Sequence, residues 1–565
     1  MKKDSLSFFG KKWEFRANEN PTGTLAEVFA AAREIPAENW GKFCAPQIAD
    51  LVEPEQFFEM SAAVEKILSA IRARKKIAVF GDFDLDGISA TAILFETLKI
   101  LGGKVTAILP ARADGFGLSE KFVHRAIAEK IELFITADCG VSNLKEIEKL
   151  NAAGVETIVS DHHSRGENLP AATILHPARA AREFEFLTGA GVALKLAQAL
   201  LEKVFGAKFD REKKFATKIL PPEFKTVREF FEHLLALAAL GTVADLGKLV
   251  GENRTIVSLG ISNLRNSKNA GIAALLQAAE IAPEEVNSEK IAFFLAPRLN
   301  AAGRLAHPVE SLKLLLGEVS RAKILNDLNR QRQEITAENL SEILQKVNLN
   351  RAALVYRGDK FHPGIIGLLS GQLAERFGKP AIVACRVGEI LVGSCRSGED
   401  FHLAENLKKL SKFLRKSGGH AQAAGFSIES KNFTAFEREF QKLVAIARGK
   451  NPPPPTLKVD AEISVENLNF PAAEKLSFFG PFGEGFPAPI FVLKNPEVAN
   501  LRRVGKNFDH LSLTVAGQNA IAFRAAQMDK FLLNSKDFSL AISPEVSFFN
   551  GNPRLQLKII DARRD

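Results

Sequence analysis

Between residues 75 and 160, short apolar runs alternate with longer amphipathic stretches. The runs KKIAVF, KVTAIL, IELFITA and VETIVS are nearly continuous, which predicts strands buried on both faces of a mainly parallel sheet. The intervening stretches ISATAILFETLKIL, SEKFVHRAIAEK and NLKEIEKLNAAG have helical spacing and predict the covering helices. Upstream, Phe57, Phe58, Met60, Val64, Ile67, Leu68 and Ile71 predict a helix behind an irregular, partly basic arm. Downstream, residues 189–266 read as helical, and residues 267–350 as a connector ending in the polar helix RAKILNDLNRQRQEITAENLSEILQKV. A second α/β pattern begins at 351, with AALVY, PAIVACRV and EILVGSC as strands. Residues 403–416 read as a helix, with Leu403, Leu407, Leu410 and Leu414 on one face and Lys408, Lys409, Lys412, Arg415 and Lys416 elsewhere. The proline run NPPPP at 451–455 is stiff and reads as a linker. Short alternating strands between turn signals over 456–565 predict a small β-barrel. The expected units are therefore an N-terminal arm and helix (1–70), a parallel-sheet α/β domain (71–265), a helical connector (266–350), a second α/β domain (351–450) and a β-barrel (456–565).

Composition narrows the class. A chain of 565 residues, 46% apolar and 25% charged, is a soluble multidomain protein by these measures. A net charge of +9 suits a polyanionic partner without specifying one. Cys44, Cys139, Cys385 and Cys395 form no CxxC pair, which argues against a zinc ribbon or a disulfide framework and predicts a reducing cytoplasm. No apolar run suits a signal peptide or a bilayer span, so no membrane partner is expected.

The chemistry gathers at strand ends. Asp82, Asp84 and Asp86 follow the first strand in GDFDLDG, Asp138 follows another in ADCG, and Asp161, His162 and His163 follow a third in SDHH. In an open parallel sheet the strand C-termini share one edge, where ligands bind, so these distant groups can converge. Asp245, after an apolar helix in GTVADLG, can reach the same edge. DFDLDG also matches the opening of a calcium loop, but the twelfth position is Ile93 and a strand precedes it, which excludes that reading. A single Asp after a strand is more often a cap than a ligand, and it is the joint occurrence that points to a site. Carboxylates plus imidazole without thiolate suit Mn2+ or Mg2+, with imidazole tilting toward Mn2+. Two such ions are the chemistry of phosphoester hydrolysis.

In order, GDFDLDG, ADCG, SDHH and GTVADLG resemble the motifs of the DHH phosphoesterase superfamily. TGAGVALKL, APRLNAAGR, HPGIIG, GSCRSGEDFHL and GGHAQAAGF narrow the resemblance to its bacterial single-strand-specific DNA exonucleases. The resemblance implies a DHH domain, a long helical connector, a DHH-associated domain and an OB-type barrel. It also implies 5′-to-3′ hydrolysis of single-stranded DNA to mononucleotides in repair and recombination, with two Mn2+ or Mg2+ ions. By motif it implies metal ligation by Asp82, Asp84, Asp86, Asp138, His162 and Asp245, with Asp138 bridging. Asp161 and His163 would orient ligands or touch phosphate, and His420 would meet the scissile phosphate, completing a catalytic set with Asp84, Asp138 and His162. Arg298, Asn300, Arg304, Ser394, Arg396, Gly418, Gly419 and His420 would bind the strand, while Cys395 faces the core. Phe478, Phe479, Phe482 and Phe486 could stack on bases, although packing is the commoner role of such aromatics. A single-strand-binding protein and a helicase are candidate partners. The alternatives are an oligoribonuclease or nucleoside-bisphosphate phosphatase of the same superfamily, and a non-catalytic single-strand-binding scaffold. The chain departs from the pattern at Phe80, at Gly247-Lys248 and at Phe486.

Overall fold

The computed structural model describes residues 6–16, 22–206, 220–449, 454–549 and 551–565. Residues 451–453 of the expected proline linker lie outside this range. The first α/β domain is built on five strands in the spatial order Lys104–Ile108, Lys76–Gly81, Leu133–Ala137, Glu156–Ser160 and Thr173–Leu175. Every neighbouring pair is parallel. Strand Lys76–Gly81 sits between the second strand on one side and the third on the other. The order therefore reverses there, and the loops after Gly81 and Ala137 open side by side at a topological switch point. The helix Leu85–Ile100 is buried along most of its length between the sheet and the helices Gly189–Phe205 and Val227–Ala244. Its polar side chains reach solvent only toward its C-terminal end, at half-buried Glu96 and exposed Lys99.

The helix Arg321–Leu344 carries the chain to the second α/β domain. That domain is a five-stranded sheet in the order Leu414–Gly419, Ala423–Glu429, Ile390–Arg396, Ala381–Val387 and Leu354–Gly358. The helix expected over 403–416 stops at Lys409, and a short 3-10 turn, Ser411–Phe413, leads into the edge strand Leu414–Gly419. Beyond half-buried Leu414 this edge strand is exposed Arg, Lys, Ser and Gly, so its sequence carries no alternation to read.

The C-terminal region forms a seven-stranded sheet running from Ala461–Glu462 at one edge to Val498–Val504 at the other, with no pairing that closes the two edges among the described residues. The N-terminal segment is not an irregular arm. Its strand Lys12–Phe15 pairs in parallel with Thr456–Val459, and its helix Leu25–Ala32 packs on the C-terminal region. Buried Asp561 accepts from Trp13 Nε1 at 3.1 Å and from the Phe9 amide at 3.2 Å, and Arg33 bonds Asp460 through Nε and Nη2.

Of the four tail phenylalanines, Phe479, Phe482 and Phe486 pack around Phe29 at ring distances of 5.5–6.0 Å, while Phe478 is exposed. Phe486 also lies under the Arg254 guanidinium at 4.7 Å, so the departure at this position serves packing. Gly247 has a physical reason as well: a Cβ there would fall 2.6 Å from Thr188 Cγ2.

Candidate metal and phosphate centre

Asp82, Asp84 and Asp86 leave the first strand and enter the helix Leu85–Ile100 within a few residues. Asp84 is the N-cap, and one of its oxygens accepts from the amides of Asp86 and Gly87 at 3.1 and 3.2 Å. Asp86 points the other way and accepts from the amides of Gly189 and Ala190 at 2.7 and 3.0 Å, capping the helix Gly189–Phe205. Asp138 sits at φ 65°, in the left-handed region that non-glycine residues enter at a cost. Gly189 packs against it so closely that a Cβ would lie 2.4 Å from the Asp138 side chain.

These groups converge. Asp82, Asp84 and Asp138 can each present one oxygen within 4.8 Å of the others, and Asp86, His162 and Asp245 do the same with oxygen and nitrogen. His162 Nε2 joins the two sets, lying 3.2 Å from Asp138 Oδ1 and 3.7 Å from both Asp86 and Asp245. Asp82 Oδ1, Asp138 Oδ1 and His162 Nε2 are buried and have no hydrogen-bond partner. Such atoms are costly unless a cation or proton meets them.

The electrostatics agree. Burial, then the neighbouring Asp84, pushes Asp86 up to about 7, and burial with Asp86 and Asp84 pushes Asp245 up to about 8. Asp82 and Asp138 are raised well above the usual carboxylate range by burial and the adjoining carboxylates. Burial, then the neighbouring His163, pulls His162 down to about 3, which keeps its ring neutral and able to ligate.

Asp161 is different. It accepts from the amides of Val141, His162 and His163 at 2.9, 2.8 and 3.1 Å and pairs with His163 Nδ1 at 2.9 Å. Burial opposes its charge, but the hydrogen bond and charge of His163, with these amides, bring it down to about 2. Burial likewise opposes the charge of His163, but the hydrogen bond and charge of Asp161 hold it up to about 9. The His420 ring faces that of His163 at 6.4 Å between centroids. Burial and the charge of His163 lower the pKa of His420. Gly418 and Gly419 end the edge strand that delivers it, paired with Gly425 and Ala424.

The candidate strand-binding residues divide. Arg304 donates to the Gly364 carbonyl at 3.1 Å, and its pKa falls to about 9 through burial and then the nearby Arg112, Arg332 and Arg396. Arg396 lies beside Ser394, 3.3 Å from its hydroxyl, with Cys395 turned into the core. Asn300 does not face outward as expected. Its Oδ1 accepts from the Leu85 amide at 2.9 Å and braces the start of the carboxylate-bearing helix. Arg298 also turns away, donating to Asn326 Oδ1 at 3.0 Å and the Phe294 carbonyl at 2.8 Å.

Sequence reasoning missed Arg112. It stacks over Phe83 at 4.3 Å, donates to the Gly303 carbonyl at 3.1 Å, and feels both Asp82 and Asp84. It follows the strand Lys104–Ile108, so the strand-end rule that found the acids would have found it too. His362, whose pKa is lowered by burial and by Arg112, also stands near this cluster; its motif was noticed, but no role was assigned.

Family models match three segments: the DHH family N-terminal domain at residues 76–222, the DHHA1 domain at 350–446 and the RecJ OB domain at 459–561. The chain is similar to the single-stranded-DNA-specific exonuclease RecJ of Haemophilus influenzae, with 32% identity across 91% of this chain and 92% of that one. The Escherichia coli RecJ is 32% identical across 90% of each chain, and the Bacillus subtilis RecJ 30% identical across 93% of this chain and 66% of its own length. The crystal structure of RecJ in complex with Mn2+ from Thermus thermophilus superposes with a TM-score of 0.78 at 27% identity, covering 96% of this chain and 76% of that one. The corresponding Mg2+ complex gives 0.73 at 26% identity, covering 96% and 74%. The convergent acids, the two α/β domains and these relatives agree, and the chain belongs to the RecJ family of the DHH phosphoesterases.

Proposed function

We propose that this chain is a divalent-metal-dependent exonuclease that degrades single-stranded DNA from its 5′ end to mononucleotides in repair and recombination. One observation carries the reading: sets of carboxylate and imidazole groups within ligand distance, linked through Asp138 and His162, lie beside an arginine cluster drawn from both α/β domains and the connector. The unpartnered buried atoms of Asp82, Asp138 and His162 fit cations, and an oxygen-and-imidazole donor set suits Mn2+ or Mg2+. Asp82, Asp84 and Asp138 would hold one ion, and Asp86, His162 and Asp245, with Asp138 shared, the other. Bound ions supply a water of lowered pKa and charge to offset the in-line displacement.

The chain's own residues do the rest. Asp161 fixes His163 and keeps it protonated beside the reacting phosphate, where a cation stabilises developing negative charge. His420 faces it from the second domain and donates to a phosphate oxygen. Arg112, Arg304 and Arg396, with Ser394, form a cluster of donors suited to a terminal phosphate. Anchoring that phosphate fixes how far from the end the cut falls, which gives mononucleotides. On this reading a narrow channel between the two α/β domains, which the Arg304–Gly364 contact joins at 3.1 Å, would admit one strand and exclude a duplex. The reading extends to a single-strand-binding protein and a helicase as partners, and to the cytoplasm, since the enzyme works where its DNA is.

The test is digestion of end-labelled single strands with and without Mn2+, by the protein and by Asp138→Asn, a variant whose side chain tolerates left-handed backbone. Mn2+-dependent release of mononucleotide from the 5′ label, absent in the variant, is the expected result. Release from the 3′ label overturns the polarity. Hydrolysis confined to di- and trinucleotides means a short-oligonucleotide phosphodiesterase instead.

A further inference from the structure

Residues Ser288–Leu305 form one helical rod in three parts: Ser288–Lys290, a π-helical stretch Ile291–Leu295, and the α-helix Ala296–Leu305. Its far end belongs to the cleft, where Asn300 braces Leu85 and Arg304 joins the arginine cluster. Its near end carries two phenylalanines in solvent, Phe293 at 71% exposure and Phe294 at 40%. Two neighbouring rings this open leave aromatic surface available to a partner. Phe293 precedes Asn300 and Arg304 on this rod by seven and eleven residues. The axial separation from Phe293 to Asn300 is ~10 Å. Lys290 Nζ lies 4.8 Å over the Phe294 ring, and Arg298 is held to the Phe294 carbonyl at 2.8 Å. The acids nearby are already engaged: Glu289 and Glu545 both pair with Lys558 at 2.7 Å, and Glu280 acts on Arg298. Single π-helical turns are uncommon and concentrate at functional sites.

We propose that Phe293, supported by Phe294 and Lys290, is a base-stacking platform for the single strand just outside the catalytic centre. The inference rests on the single-strand reading above. It names a sequence-tolerant contact, since every base has a π-face, with Lys290 beside it for a phosphate. The platform shares a rigid rod with Arg304, so a stacked base fixes the strand's register relative to the anchored end.

Binding is measured by fluorescence anisotropy in metal-free buffer, using the full chain. One ligand is an oligothymidylate, and the other is a chain of equal length whose central nucleotides lack bases. Phe293→Ala is expected to weaken binding of the base-bearing strand about 10-fold. It should leave the base-free strand close to wild type, and Phe293→Trp should restore the loss. Equal weakening on both ligands, no weakening on either, or failure of Trp to restore overturns the platform. Failure of the wild-type chain to bind either strand overturns the single-strand reading instead, so the two are separable. A side chain this exposed has little folding energy to lose, and Phe293→Leu, which keeps apolar bulk without a ring, is expected to behave like Ala.

Discussion

At the residue scale, the centre is a set of charges whose cost has been left unpaid by the protein alone. Asp86 and Asp245 are pushed up to about 7 and about 8 from an ordinary 3.8, so the metal-free folded state holds more protons than the unfolded state across that interval. Stability therefore falls as pH rises through it. His163, raised to about 9, adds stability below its unfolded value of 6.5 and loses it as pH climbs through 9, which has the same sign. His162, lowered to about 3, works in the opposite direction only below 6.5. Between about pH 6.5 and 8.5 these contributions agree. The melting temperature of the metal-free protein should fall over that range, while the rise caused by Mn2+ should grow, because the ion competes with fewer protons. A flat metal-free profile, or an Mn2+ shift that shrinks with pH, would contradict this account. A second expectation concerns Gly189. Alanine there would push its Cβ to within 2.4 Å of Asp138, and that carboxylate must move. Displacement of a reacting group by about 1 Å costs on the order of 100-fold in rate. The Gly189→Ala variant should show that loss in kcat with its circular dichroism retained, and wild-type turnover would refute the proposed constraint.

At the element scale, legibility followed burial. Strands covered on both faces announced themselves as apolar runs, and their C-termini exposed the acids and imidazoles to a simple edge rule. Asp84 and Asp86 illustrate the limit of that rule. Each also caps a helix, and nothing in the sequence tells a cap from a ligand when one carboxylate does both. Asn300 and Arg298 were misplaced because their motif names residue types, while their direction depends on which neighbouring element the helix touches. The edge strand Leu414–Gly419 was read as helix because the leucine spacing continued into it and its own exposed residues gave no opposing signal. Long-range contacts between elements were invisible altogether. Arg254 on the helix Gly251–Arg265 is the clearest case: it donates to the carbonyls of Phe479, Gly480 and Pro481 and lies 3.7 Å over the Phe43 ring. Charged hydrogen bonds of this kind contribute about 1.5–3 kcal/mol each, and the carbonyls left without donors add a penalty. Arg254→Met should cost on the order of 3 kcal/mol in urea unfolding and expose the 479–486 segment to protease. A cost within the range of an ordinary surface substitution would mean that ring packing alone holds this joint.

At the scale of the whole molecule, two folding units divide the work differently from the order of segments along the chain. One buried core is continuous from the helix Leu25–Ala32 through the first α/β domain and the connector into the C-terminal sheet, whereas the second α/β domain has buried clusters of its own. The N-terminal segment closes the larger unit through Trp13, Arg33, Asp460 and Asp561, groups separated by hundreds of residues in sequence. All the candidate ion ligands, from Asp82 to Asp245, belong to that larger unit, while His420, Ser394 and Arg396 come from the smaller one. A ligand that binds only one unit stabilises only the transition in which that unit unfolds. Calorimetry should therefore resolve two transitions, and Mn2+ should raise the one that carries the C-terminal sheet while leaving the other nearly unmoved. Protease sampling along the scan identifies them: cleavage within 351–449 should track the insensitive transition, and cleavage within 456–565 the metal-sensitive one. A single-stranded oligonucleotide added with Mn2+ bridges the cleft and should raise both. If Mn2+ alone shifts both transitions equally, the two α/β domains are already coupled without a strand between them, and the cleft is closed before the substrate arrives.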